Sequence, residues 1–552
     1  MAITRKWWKE QVIYQIYPRS FQDSNGDGIG DLQGIISRLD HLQTLGIDII
    51  WICPIYMSPN DDNGYDISDY YDIHPEFGSM ADFDQLLEEV HRRDMKLIMD
   101  LVLNHSSDEH RWFEQSRQSK DNPYRDYYFW RPGKNGGPPN NWQSIFGGSA
   151  WEYDETTEEY YLHIFTRKQP DLNWETPALR EEIYELIRFW MDKGIDGFRM
   201  DAIPFISKDL SFPDTVGLTF NEVIEQVYAN GPKVHTYLRE VHDRVTKDYD
   251  VMMVGEGSGI SPDNCLDYLG EDRKELDLVF HLEHMFLGHG PLGKFDPVPF
   301  TWRDMKDLFQ KWDDAIGDSG WVSIFLDNHD FPRMVSRFAN DGEYRRESAQ
   351  LLALLILTLR GTPCIYQGSE IGMTNVAFDK IEDYRDVEII NVRKEYLARG
   401  TSPEEFLSLV HEAGRDNVRT PMQWDSSPHG GFTTGEPWIK SNPNYTRINV
   451  AAEKKEANSI LDFYKRVLAY RKKHDTLVYG SYEEIPSASE DLYCYRREGQ
   501  ETLIIVLNHS DQHQAIEMDL RGYALDIQNI DNKMSTVLLP WEARLYRQIP
   551  VT

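Results

Sequence analysis

Three acidic residues stand at the ends of short apolar runs: Asp201 in GFRMDAI (197–203), Glu256 in VMMVGEG (251–257) and Asp330 in SIFLDNHD (323–330). A buried charge needs a partner, so a carboxylate just past an apolar strand is a poor choice for packing alone. It is a sensible choice when strands of one sheet aim their C-terminal ends at a common pocket. Cleavage of a glycosidic bond needs such acids: one attacks the anomeric carbon, and another, held protonated, releases the leaving group and then activates water. Arg199 lies two residues before Asp201, on the same strand face, where a guanidinium would hold it ionised and aimed. Glu256 sits between two glycines at a strand end, exposed and with room around it, which suits an acid/base. Asp330 follows His329, and the pair could hydrogen-bond sugar hydroxyls. Singly, these acids read equally well as caps on loops; three of them, with Arg and His at set offsets, favour catalysis.

The elements that must position them follow from the apolar pattern. Eight strands are expected: 12–18, 47–54, 96–103, 196–202, 251–256, 276–282, 322–328 and 362–368. Several are apolar on both faces, as parallel strands covered by helices are. Amphipathic helices fall between them, including 82–94 and 178–194, the latter stopping on Gly194. Eight strand–helix units predict a closed α/β fold, a (β/α)8 TIM barrel, over an open sheet. The interval 105–174, rich in Asn, Gly, Pro and aromatics, with a hairpin-like YYLHIF at 160–165, reads as a loop-rich domain inserted after the third strand. A second insert covers about 374–430, and the apolar 348–359 reads as a buried helix. After about 480 the pattern alternates with tight turns, predicting a C-terminal antiparallel β domain. The expected division is 1–104 with 175–480 for the barrel, 105–174 for the insert and 481–552 for a β-sandwich.

Composition narrows the partners. The net charge of −34, from 58 basic and 92 acidic residues, argues against nucleic acid and anionic membranes and fits a small neutral substrate. The four cysteines (Cys53, Cys265, Cys364, Cys494) have no metal-like spacing, which points to a reduced, cytoplasmic setting. The N-terminal stretch has no segment of signal-peptide length, and no run approaches the roughly 20 apolar residues of a membrane helix. A monomer or weak homodimer with no organic cofactor is expected. In DSNGDGIGD (23–31), oxygen side chains alternate with glycines as in a Ca²⁺ loop. Asp23, Asn25, Asp27 and Asp31, with the Ile29 carbonyl, would be the ligands of a structural Ca²⁺, Mg²⁺ being the alternative ion; a plain Asx-turn without an ion explains the same residues.

The motifs together resemble the α-amylase family, glycoside hydrolase family 13, in its branch of oligo-1,6-glucosidases, α-glucosidases and sucrose isomerases. The resemblance covers nearly the whole chain. It rests on DLVLNH (100–105), GFRMDAI, VGEG and LDNHD, with QPDLNW (169–174) in the form of this branch. It implies Asp201 as nucleophile, Glu256 as acid/base and Asp330 as transition-state stabiliser. Arg199, His105 and His329 would serve the substrate, and Tyr65 and Asp66 of NGYD would bind the terminal glucose. Arg415, in GRDNVRTPMQW (414–424), would pair with Asp66 and close the back of the pocket, so that cleavage is exo. Phe165 is either a platform for the sugar ring or core of the insert.

The expected function is an exo-acting α-glucosidase for maltose-, isomaltose- or sucrose-type substrates. A sucrose isomerase or transglucosidase using the same covalent intermediate is the alternative. Ala202 after the nucleophile is similar to members preferring α-1,4 bonds, and Leu326-Asp327-Asn328 to sucrose-active ones. The stretch 281–296, however, has no arginine and lacks the loop of sucrose isomerases. A non-catalytic relative, such as a transporter heavy chain, would have a membrane helix and lost catalytic residues, unlike this chain.

Overall fold

The structure is a computed structural model that describes residues 5–533 and 536–550. The first four residues of the N-terminal stretch, and the last two of the expected C-terminal domain, lie outside the described residues. Eight parallel strands close into a barrel: β1 (Ile13–Ile16), β2 (Ile49–Ile52), β3 (Lys96–Val102), β4 (Gly197–Asp201), β5 (Met252–Glu256), β6 (Leu278–Phe280), β7 (Val322–Ile324) and β8 (Thr362–Tyr366). Each pairs with its sequence neighbours, and β1 closes on β8 through Tyr14 opposite Ile365. Their residues are almost wholly buried on both faces, which is why these runs are Ile, Val and Met rather than alternating apolar and polar. All eight expected strands are present. The seventh is shorter than expected: Asn328 Oδ1 accepts the amide hydrogens of Asp330 (2.8 Å) and Phe331 (3.1 Å), turning the chain before the acid.

The helices start and stop where their end residues can satisfy free backbone groups. Helix Met80–His91 begins in a capping box between Ser79 and Asp82, and Pro177–Lys193 ends on Gly194 at φ 99°. Helix Arg345–Thr358 is buried throughout from Ser348 onward, as its continuous apolar run requires. The insert after β3 holds a three-stranded antiparallel sheet, with Glu159–Leu162 between Trp130–Arg131 and Trp151–Asp154. The hairpin strand ends at Leu162, so His163–Phe165 run on as loop toward the barrel mouth. The C-terminal region forms a five-stranded antiparallel sheet, from Ser481–Ile485 to Ala543–Gln548, with a separate two-stranded pair.

Two buried arginines, Arg497 of that sheet and Arg471 of helix Ile460–Arg471, hold the end of helix Arg345–Thr358. Arg497 donates to the carbonyls of Thr358 (2.5 Å), Leu477 (2.9 Å) and Gly480 (2.9 Å). Arg471 donates to Leu357 (2.9 Å) and Gly361 (2.8 Å). Leu357 and Thr358 end helix Arg345–Thr358, whose last carbonyls have no partner within the helix and carry its negative dipole end. Arg497→Met should therefore lower the free energy of unfolding by about 2–4 kcal/mol, since it strands several buried carbonyls at once. Thermal and denaturant unfolding would check this; a loss below about 0.5 kcal/mol would mean that water caps the helix instead.

Candidate active site

Asp201 and Glu256 are the last residues of the adjacent strands β4 and β5, so barrel geometry alone brings them together. Between them lies Arg199, almost fully buried. Its Nη1 is 2.5 Å from Asp201 Oδ1 and 2.6 Å from Asp100 Oδ1, and its Nη2 is 3.0 Å from Glu256 Oε1. Asp100 is held in turn by the Trp51 indole (2.7 Å) and the Tyr65 hydroxyl (3.3 Å). Glu256 Oε2 accepts the Ala202 amide hydrogen at 2.8 Å. Three carboxyl groups thus share one guanidinium. Burial pushes the Asp201 and Glu256 carboxyls up to about 7 and Asp100 to about 6, with Arg199 pulling each back. Near neutrality this cluster retains a proton.

Glu256 differs from expectation. Its side chain is only 15% exposed, because Arg199 and Ala202 draw it down onto β4. The flanking glycines do not provide space: a Cβ on Gly255 would meet Leu276 Cδ1 at 2.6 Å, and one on Gly257 would meet Val279 Cγ2 at 2.7 Å. They are glycines because neighbouring side chains fill the room.

Asp330 lies in the opposite environment. At 27% side-chain exposure it is the most open of the three acids. Its Oδ1 accepts from Arg415 (3.3 Å) and Arg419 (3.1 Å), and its Oδ2 lies 3.1 Å from His329 Nε2. Burial would raise its pKa, but His329, Arg415 and Arg419 outweigh that and hold it well below the usual carboxylate range. His329 stacks on Tyr65 with ring centres 5.1 Å apart, and burial pushes its pKa down to about 3.

The pocket above these residues has a volume of about 500 Å³. Tyr65, His105, Phe165, His329 and Arg415 line it with the three acids, while Arg199 lies beneath. Phe165 belongs to the wall, 4.9 Å from the His105 ring. His105 Nε2 lies 3.2 Å from the Tyr65 carbonyl and 3.1 Å from the Gln169 amide nitrogen, and its tautomer decides which of the two it bonds. Asp66 does not line the pocket, and its expected pair with Arg415 does not form. Its carboxylate accepts the amide hydrogens of Asp61 (2.8 Å) and Asp62 (3.0 Å), bracing the loop from below. Asp62 faces Arg415 instead, at 3.2 Å, and Arg415 is anchored by Asp386 at 2.5 Å. Three acids in NDDNGYD (60–66), Asp61, Asp62 and Asp66, gave the sequence no means of telling which points inward. Asp386 and Arg419 were also missed; Arg419 stands four residues after Arg415, one helical turn on, which was the available signal. The mouth is narrowed by the hairpin of His289–Gly290 and Gly293–Pro297.

In the loop 23–31, Asp23 Oδ1 accepts the amide hydrogens of Asn25 (2.8 Å) and Gly26 (2.7 Å), and its Oδ2 that of Gly28 (2.9 Å). Asp31 caps the next helix through Gly34 (2.6 Å). Carboxylate, amide and carbonyl oxygens are the donor type a hard cation takes, but both Asp23 oxygens already accept two hydrogen bonds each, Oδ2 from Gly28 and the Thr433 hydroxyl, so a cation here would have to displace some of them. Among the described residues no group of three or more His, Cys, Asp or Glu is placed to hold a metal ion. None of the four cysteines forms a disulfide, and all are buried. No described helix is long and apolar enough to cross a membrane.

The family model described as alpha amylase, catalytic domain, matches residues 15–480. An oligo-1,6-glucosidase of Halalkalibacterium halodurans is 54% identical over 99% of this chain and 99% of its own length. One of Parageobacillus thermoglucosidasius is 52% identical over 98% of this chain and 99% of its own. Among solved structures, the trehalulose synthase of Pseudomonas mesoacidophila MX-45 superposes with a TM-score of 0.95 at 45% identity, covering 99% of this chain and all of that one.

Crowding of acids on Arg199 has a measurable consequence. A carboxyl raised in the folded state binds its proton more tightly there than when unfolded, so its ionisation disfavours folding above the folded pKa. Asp201→Asn should therefore melt at or above the wild-type temperature at pH 8, by on the order of 1–2 kcal/mol. That advantage should shrink toward pH 5 as wild-type Asp201 takes up its proton. Calorimetry at both pH values tests this, and a variant clearly less stable at pH 8 would contradict it.

Proposed function

The chain belongs to the α-amylase family, and from that premise we propose that it is a retaining, exo-acting α-glucosidase for terminal α-glucosidic bonds of short oligosaccharides of the maltose, isomaltose and sucrose type. The observation that carries this reading is the sharing of Arg199 by Asp201 and Glu256, with Asp330 across the pocket. A shared guanidinium keeps the two carboxyls close, which suits the spacing of about 5–5.5 Å used in double displacement rather than the wider gap that admits a water. Asp201, bound most tightly to Arg199, attacks the anomeric carbon as carboxylate and forms a β-glucosyl-enzyme. Glu256, with the longer contact, keeps the proton, gives it to the leaving oxygen and then takes one from water, so the α configuration is retained. Asp330 stays ionised and stabilises the oxocarbenium-like state. Asp62 and Arg415, held by Asp386, close the back of the pocket around one glucosyl unit.

Sucrose isomerisation through the same intermediate is the second reading, favoured by the likeness to the trehalulose synthase. Against it, the mouth segment 281–296 has no arginine. Ala202, beside the nucleophile, leaves space on the leaving-group side that accommodates α-1,4 as well as α-1,6 bonds. The free cysteines support a cytoplasmic location. We assign the loop 23–31 to a structural Ca²⁺, with Asp23, Asn25, Asp27, Asp31 and the Ile29 carbonyl as ligands. Ca²⁺ should raise the melting temperature and chelator lower it, and Asp27→Ala should abolish the difference; an indifferent wild type would leave the loop an Asx-turn.

Chromatography of products from maltose, isomaltose and sucrose separates the two readings: free glucose supports hydrolysis, and a rearranged disaccharide supports isomerisation. Asp201→Asn should cut kcat by several orders of magnitude; a fall below tenfold would sink the assignment. With both carboxyls raised to about 7, kcat/KM should be bell-shaped around neutrality. The acid limb would report protonation of the nucleophile and the alkaline limb ionisation of the acid. A profile flat from about pH 5 to 9 is incompatible with this pair.

A further inference from the structure

We propose that Gln15, on the first barrel strand and outside every motif above, is a positioning residue that locks His329 in the tautomer with its hydrogen on Nε2. The inference rests on the catalytic reading of Asp330, but its structural part is testable without it. His329 Nε2 faces Asp330 Oδ2 at 3.1 Å. Arg415 and Arg419 hold that carboxylate ionised, so a bare lone pair on Nε2 would be repelled and a hydrogen there is favoured. Burial, with Arg199, Arg415 and Arg419 nearby, keeps the imidazole neutral although Asp330 favours its charged form. A neutral ring has one N–H, so Nδ1 must accept. The atom opposite Nδ1, at 2.8 Å, is the amide nitrogen of Gln15, which can only donate; its other hydrogen points to Cys53 Sγ at 3.3 Å.

Two further observations support a role beyond packing. Gln15 is completely buried, and its Oε1 has no partner. Turning the amide over would direct that oxygen at Nδ1 and force the hydrogen off Nε2. The arrangement thus keeps a donor facing His329 Nδ1 while the Gln15 oxygen stays without a protein partner. The ring itself cannot swing away: it is stacked between Tyr65 (5.1 Å) and Tyr17 (6.3 Å), with Trp51 edge-on at 6.0 Å. Ring packing sets where His329 lies, and Gln15 sets which nitrogen donates toward Asp330 and the pocket.

The test combines spectroscopy and kinetics. In protein labelled with ¹⁵N-histidine, the His329 signals are identified by their loss in His329→Gln. The wild type should show a protonated Nε2 and a bare Nδ1. Gln15→Leu should show a tautomer mixture, and the near-isosteric Gln15→Glu, whose carboxylate accepts, should move the hydrogen to Nδ1 or yield the imidazolium. Both variants should lose about 10- to 100-fold in kcat on maltose, with a smaller change in KM. Gln15→Leu added to His329→Gln should cost little more, because Gln15 acts through that ring. A wild-type signal with hydrogen on Nδ1, or a tautomer unmoved in Gln15→Glu, overturns the proposal. So does additive loss in the double variant. If the protein lacks glucosidase activity, the kinetic arm falls with that reading while the tautomer signals still decide the proposal.

Discussion

One guanidinium organises the centre of this molecule. Arg199 is surrounded by Asp100, Asp201 and Glu256 and lies 5.2 Å from the centre of the Trp51 ring, with almost no water-exposed surface to relieve its charge. Three acids against one base inside a barrel is a poor arrangement for stability and a good one for storing a proton. The strand ends, the Trp51 and Tyr65 donors to Asp100 and the close packing around Gly255 and Gly257 all hold that arrangement in place. Acid/base chemistry at neutral pH follows from it directly, since carboxyls at their ordinary pKa would both be ionised there.

A second cationic centre, Arg415 with Arg419, has the opposite effect. It depresses Asp330, while burial, only partly offset by Arg199, leaves Asp201 and Glu256 high, so the carboxyls of one pocket divide into one held ionised and two that titrate near neutrality. The two centres come from different parts of the chain. Arg199 belongs to the barrel, and Arg415 to the insert after β8, stabilised by Asp386. The histidines between them stay neutral chiefly because burial disfavours their charged forms, with the arginines adding to this at His329 and Lys208 at His105.

The barrel was legible because parallel strands buried on both faces leave an unbroken apolar signature, and all eight runs carried it. The three acids of the candidate site stood out because several charges at the ends of such runs, with Arg and His at set offsets, are harder to explain structurally than any one of them alone. What escaped were contacts between distant loops. Whether Asp62 or Asp66 reaches Arg415 depends on the path of one loop, and Asp386 enters from an insert with no periodic pattern. The apparent openness of Glu256 was misread because glycine signals either free space or its complete absence, and only the neighbours decide. Gln15 gave no signal, since a glutamine in an apolar strand carries no mark of the imidazole it faces.

The two arginines that hold the end of helix Arg345–Thr358 bear on the order in which the chain leaves the ribosome. Helix Arg345–Thr358 and the last barrel strand, β8, are made long before Arg471 and Arg497. Until those residues emerge, the end of a fully buried helix has bare carbonyls and an apolar flank with nothing to cover it. The face of the barrel at that helix end is completed only by chain made well after it. A nascent chain stalled short of the C-terminal sheet would present a sticky, half-finished barrel, a natural target for chaperones.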